Sequence, residues 1–350
     1  MTDEEAIDHA LSAVEAAATD QWLMKRNGRP FLALPARRLA ALHALRLYQP
    51  QRLKARWFIS LMQPVVLAGL HRWVLPRFRH AGGMALLEPE FAGCFPGTAG
   101  VMLGSPEHRV RRAILSYMTE NGWEVAKIAF GVEGAGVLEP EAEVLALLAG
   151  KANGVPRLLG LHRSADATML RMPYMTGKQL RPGESTDALA LLDGWISQAE
   201  AKPIQSFTEW PAINSALGNS KEGKRALTWL SKMRLRPVIR HGDFARWNLL
   251  RQPDGSLIAL DWEWGHPAGM PGLDLVHLFL QDARLVERLA PGDAIAKTRD
   301  LLKLPACVAY LSRTGWNDDP ILPIIASLAW KQGAGHQQNT EVLEAALRAR

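Results

Sequence analysis

The chain reads as an α+β protein, on three observations. Strand-like runs follow one another between residues 99 and 130, the last two joined by a Thr119-Glu120-Asn121-Gly122 turn. Helical periodicity dominates residues 186–236 and returns from 283 to the end. Between those helical tracts, residues 238–264 hold two short strand-like runs around Pro253-Asp254-Gly255. At 350 residues and 48% hydrophobic content, the chain can bury a large core and divide into two or three units.

Taken in order, residues 3–18 form a helical pattern, with Thr2 or Asp3 as N-cap and Ile7, Leu11 and Val14 on one face. Asn27-Gly28-Arg29-Pro30 is a turn, and a second helical pattern fills 36–47 after Pro35. Arg52, Lys54 and Arg56 then run into Trp57, Phe58, Ile59, Leu61 and Met62. Residues 21–87 contain twelve Lys and Arg and no Asp or Glu, although the whole chain carries only +6. The positive charge therefore belongs to this segment and predicts an anionic partner for it. A basic, Trp-bearing helix suits an anionic membrane surface. The same pattern suits a pair of docking helices with solvated arginines, and the sequence leaves both open.

No nucleic-acid module is recognisable, and no nucleic-acid partner is expected. The acidic start, Met1-Thr-Asp-Glu-Glu, differs from the basic leader of a secretory signal. The longest apolar run, residues 57–70, is short for a membrane span and is broken by Gln63-Pro64. Cys94 and Cys307 give no disulfide framework, which points to a reducing compartment. The expectation is a cytoplasmic protein, peripheral on the inner face of the membrane where its basic segment meets lipid.

Ala81-Gly82-Gly83 reads as a linker. Strands are expected at 99–104, 111–118 and 123–130, then at 155–158 and 168–172. Lys127 sits in the third strand, and the helix expected at 138–148 offers Glu139, Glu141 and Glu143. Met172-Pro173-Tyr174-Met175-Thr176-Gly177 follows the last strand. Three or four helices with no evident chemistry fill the tail.

Residues 238–264 carry the chemistry. Asp243 and Asn248 stand behind His241 and Gly242, and Asn248 opens the apolar pair Leu249-Leu250. After the turn, a strand at 256–260 delivers Asp261. One loop and one hairpin thus gather a carboxylate, a carboxamide and a second carboxylate. Phosphoryl transfer needs this layout: a base for the attacking hydroxyl, and an amide and a carboxylate holding Mg²⁺ on nucleotide phosphates.

His-Gly-Asp-Phe-(x)3-Asn-Leu-Leu followed by Leu-Asp-Trp-Glu resembles the aminoglycoside phosphotransferase and choline kinase-like family. The resemblance implies a two-lobed protein-kinase-like fold with a helical N-terminal extension. Its parts would be a basic extension (1–90), a small nucleotide-binding lobe (91–175) and a large helical catalytic lobe (176–350). It implies Asp243 as catalytic base and Asn248 and Asp261 as metal ligands. Lys127 becomes the nucleotide-phosphate lysine, with Glu141 as partner and Glu143 as the next choice. The inter-lobe hinge falls at 172–177, where Pro173 has no N–H, so Tyr174 or Met175 would donate to adenine. His241 would pack the loop, and Asp274 would either support it or cap its own helix. Arg246 could meet the transferred phosphoryl group or lie exposed. Gly104-Ser-Pro-Glu-His-Arg departs from the Gly-rich phosphate loop, leaving Ser105 or Arg109 to substitute. Trp247, Trp262 and Trp264 hint at a carbohydrate. The absence of Asp-Phe-Gly and Ala-Pro-Glu after Asp261 disfavours a protein kinase. The implied activity is ATP- and Mg²⁺-dependent phosphorylation of a hydroxyl on a small molecule or glycan, lipid-linked glycans included. The alternative is a non-catalytic kinase-like binding module recruited to a membrane or complex.

Overall fold

Asn27 and Gly28 both take left-handed backbone angles, φ 53° and 79°, which an Asn-Gly pair tolerates. Their two-residue loop joins β1 (Thr19–Arg26) to β2 (Arg29–Pro35), with Arg26 opposite Arg29. In this computed structural model the described residues are 1–15, 17–50, 53–82, 94–105, 109–181, 183–316, 319–335 and 340–349. The expected boundary at 90/91, Gly83 of the linker, Arg52 and residues 106–108 of the phosphate loop lie outside them.

Helix α1 (Asp3–Ser12) starts with a capping box: Thr2 Oγ1 accepts from Glu5 N–H, and the Glu5 carboxylate accepts from Thr2 N–H at 2.6 Å. It is shorter than the expected 3–18. After β2 come α2 (Arg38–Leu47), α3 (Leu53–Leu67), α4 (His71–Val74) and β3 (Arg77–His80). The helices expected in this segment are present, but it also contributes three strands. Those strands join β4 (Gly100–Leu103), β5 (Arg112–Thr119), β6 (Gly122–Phe130), β7 (Gly160–Arg163) and β8 (Ala167–Pro173) in one antiparallel sheet. The strand order is β3-β1-β2-β4-β5-β6-β8-β7. The segment is therefore no purely helical extension. Residues 155–158, expected as strand, are irregular, and the edge strand lies at β7 instead.

Alternation within β1 and β2 explains how both sheet faces are covered. Leu23 and Ala33 face the cluster containing Ile7 and Leu11 of α1 with Val101, Leu115, Tyr117 and Ile128. Met24, Leu32 and Leu34 face the opposite cluster, with Ala41 and Leu45 of α2 and Ile59, Met62 and Val66 of α3. Ile7 and Leu11 are fully buried, a transfer stabilisation of roughly 1.5–3 kcal/mol each. Helix α5 (Gly134–Leu148) follows β6.

Contacts divide the chain into two units: residues 1–146 with 156–175, and residues 147–155 with 176–350. The expected division at 175/176 coincides with one of these boundaries, whereas residues 1–90 share a unit with the sheet. The second unit is mainly helical: α6 (Leu189–Gly194), α7 (Trp210–Leu217), α8 (Lys221–Leu230), α9 (Leu273–Gln281), α10 (Pro291–Leu302), α11 (Pro305–Thr314), α12 (Ile321–Gly333) and α13 (Thr340–Arg348). Short strands are threaded among them: β9 (Lys178–Gln179), β10 (Lys202–Pro203), β11 (Arg234–Leu235), β12 (Val238–Arg240), β13 (Leu249–Arg251), β14 (Leu257–Ala259) and β15 (His266–Gly269). Helix α12 is buried from Ile321 to Lys331 and packs on α7 and α9, which puts it at the centre of this unit. Among the described residues, no helix is long and apolar enough to cross a membrane.

Candidate active site

The hairpin expected around Pro253-Asp254-Gly255 forms, with Leu249 opposite Ala259 and Arg251 opposite Leu257. One step beyond the ladder, the Asn248 carbonyl accepts from Leu260 N–H at 2.7 Å. The register thus sets Asn248 opposite Leu260, with Asp261 next along the chain. Asp261 has φ 69°, a left-handed backbone that Asp tolerates better than most side chains. Holding such an angle costs on the order of 1–3 kcal/mol and persists where the surroundings enforce it. At Gly242, φ is 85° and a Cβ would lie 2.4 Å from Trp264 O and 2.7 Å from Arg240 Nη1. Glycine is the residue that fits there.

Asp274, in the first turn of α9, anchors the loop. Its carboxylate accepts from His241 N–H at 2.6 Å and from Gly242 N–H at 2.8 Å. Gly272 occupies the N-cap position of α9, so Asp274 is a loop support and not the cap. His241 is fully buried between Phe244 and Trp262. Its Nδ1 accepts from Asp243 N–H at 3.3 Å, which makes Nε2 the donor to Leu260 O at 2.8 Å. Burial pushes its pKa down despite the nearby carboxylates, which keeps the ring neutral. Lys331 reaches the loop from α12 and donates to Gly242 O at 2.5 Å. Its burial lowers the ammonium pKa, and Asp243 and Asp274 partly restore it. Arg240 is held by Glu209 at 2.7 Å and lies over the Trp330 ring.

This frame presents Asp243. Its Oδ1 accepts from His277 Nε2 at 2.8 Å, and its Oδ2 accepts from Asn248 Nδ2 at 3.0 Å. Asn248 Nδ2 also donates to the Asp243 carbonyl at 2.9 Å. Burial opposes ionisation of Asp243, but the hydrogen bond from His277, with the positive charge of Lys331 behind it, outweighs that penalty. The carboxyl is held well below its ordinary range. Burial lowers the His277 pKa as well, and the pair stands as carboxylate and neutral imidazole donor near neutral pH. The Asp243 side chain keeps 34% of its surface exposed, so it is accessible as well as oriented.

In the first unit, Lys127 sits on β6, and its Nζ donates to both carboxylate oxygens of Glu141 on α5 at 2.7 Å. Glu143 points to solvent. The Lys127 side chain is 15% exposed and that of Glu141 1%, so the ion pair is largely removed from water. Tyr174 lies just beyond β8. Its N–H donates to Trp123 O at 2.9 Å, and its hydroxyl donates to His43 O. That N–H is spent on the sheet and is not free for adenine, a correction to the hinge expectation that leaves Met175. His43 stacks on Trp123 at 4.0 Å and meets the Tyr174 ring edge-on, so α2 braces this end of the sheet. Arg109, one of the two substitutes for a Gly-rich loop, pairs with Glu133.

Arg246 is neither exposed nor aimed at a phosphoryl group. It is buried, bonded to Asp282 at 3.0 Å and to Leu180 O at 2.7 Å, which makes it a structural strut. Trp262 is core, whereas Trp264 is 41% exposed. His277 and Lys331 are the residues that sequence reasoning missed. His277 lies three residues after Asp274, one helical turn along the same face of α9, and that spacing was the available signal. For Lys331 the signal was a lone charge ending the apolar run Ile321–Trp330. Among the described residues, no cluster of three or more His, Cys, Asp or Glu could hold a metal ion.

A strand lysine locked to a buried helix glutamate, and a backbone-anchored Asp-(x)4-Asn loop leading into a hairpin, are the working parts of protein-kinase-like phosphotransferases. Residues 119–306, more than half of the chain, match the phosphotransferase enzyme family. The chain belongs to that family, and the match takes in every residue from Lys127 to Asp261 discussed above. Similar solved structures include choline kinase LicA from Streptococcus pneumoniae, 14% identical over 68% of this chain and 90% of that one, TM-score 0.42. An aminoglycoside phosphotransferase from Streptomyces rimosus is 13% identical over 71% and 90% of the two chains, TM-score 0.38. A choline kinase from Cryptosporidium parvum is 11% identical over 75% and 90%, TM-score 0.45. No curated protein matches the chain significantly.

Proposed function

We propose that this phosphotransferase moves the γ-phosphoryl group of ATP, with Mg²⁺, to a hydroxyl of a small molecule or glycan. The observation that carries the reading is Asp243: ionised, a third exposed, and aimed by His277 on one oxygen and Asn248 on the other. As the acceptor oxygen bonds to phosphorus and the bond to the β-phosphate oxygen breaks, Asp243 takes the hydroxyl proton. Its depressed pKa makes it a weak base. Its larger contribution is therefore to orient the hydroxyl, in keeping with a loose transition state that needs little proton removal early.

Lys127, fixed by Glu141, meets phosphate charge, and the Met175 N–H is the hinge donor for adenine. Mg²⁺ takes oxygen ligands, commonly one or two carboxylates completed by substrate phosphates. The donor set fits: Asp261 offers a carboxylate, and Asn248, its Nδ2 committed to Asp243, offers its amide oxygen. When bound, the ion neutralises charge on the phosphates. Exposed Trp264, beside the loop, suits the flat face of a sugar. A non-catalytic binding role is disfavoured, since it needs neither the Lys127–Glu141 pair nor the aimed carboxylate.

The experiment is nucleotide calorimetry with and without Mg²⁺, joined to a phosphoryl-transfer screen over aminoglycosides, sugars, lipid-linked glycans and amino alcohols. Asp261→Asn is expected to abolish Mg²⁺-dependent nucleotide binding. Asp243→Ala is expected to keep nucleotide affinity while turnover falls by roughly two to four orders of magnitude. Wild-type protein that binds no nucleotide would overturn the reading in favour of the binding module.

A further inference from the structure

Helix α3 is apolar on both sides. Ile59, Met62 and Val66 are buried against α2 and the sheet. On the opposite side, Trp57, Leu61, Pro64 and, just past the helix, Ala68 recur at helical spacing and are exposed. Trp57 is 70% exposed, Leu61 65%, and Trp73 on the adjoining α4 85%. A helix at the surface of a globular unit normally turns charge to water, and one apolar all round is covered by something.

Among the described residues of this segment, charge lies at the margins of the face, and it has one sign. Lys54 and Arg56 are exposed on α3. Arg38 and Arg72 converge on Gly69, where a Cβ would lie 2.9 Å from Arg38 Nε and 3.4 Å from Arg72 Nη2. With no Asp or Glu between residues 21 and 87, two copies of this face would set like charge against like in an isologous dimer. An anionic bilayer answers both features, because indole rings and aliphatic side chains enter the headgroup boundary while Lys and Arg reach the phosphates. At about 1.5 Å per residue, the 15 residues of α3 are too short to span the hydrocarbon and long enough to lie along it.

We infer that the exposed face of α3 and α4 is a docking surface for an anionic lipid bilayer, with α3 lying in the headgroup plane. This surface stands independently of the nucleotide chemistry.

The full chain is sedimented with vesicles of phosphatidylcholine alone and of phosphatidylcholine mixed with phosphatidylglycerol, at low and high salt. Wild type is expected to sediment with the mixed vesicles and to be released by salt. Trp57→Ser with Trp73→Ser should lower the partition coefficient about tenfold or more, with an unchanged unfolding midpoint because both side chains are exposed. Arg56→Gln with Arg72→Gln should remove the preference for phosphatidylglycerol. Three outcomes would overturn the inference. Wild type could stay in the supernatant at low salt. The tryptophan variant could bind as well as wild type. Self-association without vesicle binding, abolished by the tryptophan substitutions, would assign the face to a second copy.

Discussion

Asp274→Ala removes the acceptor of two backbone N–H groups, those of His241 and Gly242, both at buried positions. A buried donor left without a partner costs about 1–3 kcal/mol. Two donors therefore bring the loss to roughly 4 kcal/mol, with some relief because the buried carboxylate is also gone. For a unit of this size, that corresponds to a fall in midpoint of about 8–16 °C. Asp274→Asn keeps one acceptor oxygen but sets an NH₂ against the second donor, so about half the loss is expected. The assay is urea and thermal unfolding of both variants in the full chain, with nucleotide affinity measured on the folded fraction. A loss for Asp274→Ala below about 1 kcal/mol would mean that other acceptors serve these N–H groups, and that Asp274 is not the loop's anchor.

The Lys127–Glu141 pair makes a second test. Lys127→Met leaves the buried Glu141 carboxylate without its ammonium and should cost about 3–5 kcal/mol, while Lys127→Met with Glu141→Gln should cost less than the sum of the singles. Additive losses in the cycle would reject the pair as a unit. A pH series tests the buried histidines: His241 has its folded pKa pushed below the ordinary 6.5, so below that pH the unfolded chain takes up a proton that the folded chain refuses. Stability should therefore fall as pH drops from 7 towards 5, by up to about 1.4 kcal/mol per pH unit for this one group. His277 acts with the same sign. His241→Gln should flatten the dependence, and an unchanged slope in that variant would count against a neutral, buried His241.

What could be read from the sequence was what local spacing encodes. Asp243, Asn248 and Asp261 are linked by one loop and one hairpin, so their grouping was legible before any tertiary contact was known. The Glu141 choice rested on a motif resemblance, and the ion pair itself required the fold. The strands β1 and β2 were not read because Trp22-Leu23-Met24 and Phe31-Leu32-Ala33-Leu34 are continuous apolar runs. Both sheet faces there are covered, so the polar alternation of a half-exposed strand is missing. The hydrogen bond that consumes Tyr174 N–H depends on the register of β6 against β8, which no single segment specifies. His277 lies 34 residues from Asp243, and Lys331 lies 89 from Gly242. Such contacts are set by helix packing and carry no sequence periodicity of their own.

The sheet order has a consequence for how the chain can be divided. Strand β4 is hydrogen-bonded to β2 on one side, through Leu32 with Met102 and Ala33 with Val101, and to β5 on the other. The family likeness begins only at residue 119, the last of β5. A fragment cut to that likeness would lose β4 and β5 and bare the edge of β6, while one cut between β3 and β4 would bare the N–H and C=O row of β4 as a raw edge. The side chains that α1 covers, Val101 and Leu115 among them, would be stripped at the same time. An uncovered, apolar edge is a template for strands from other molecules. The first eighty residues are in this sense the seal on the sheet, and a chain shortened past them is expected to aggregate more readily than one that keeps them.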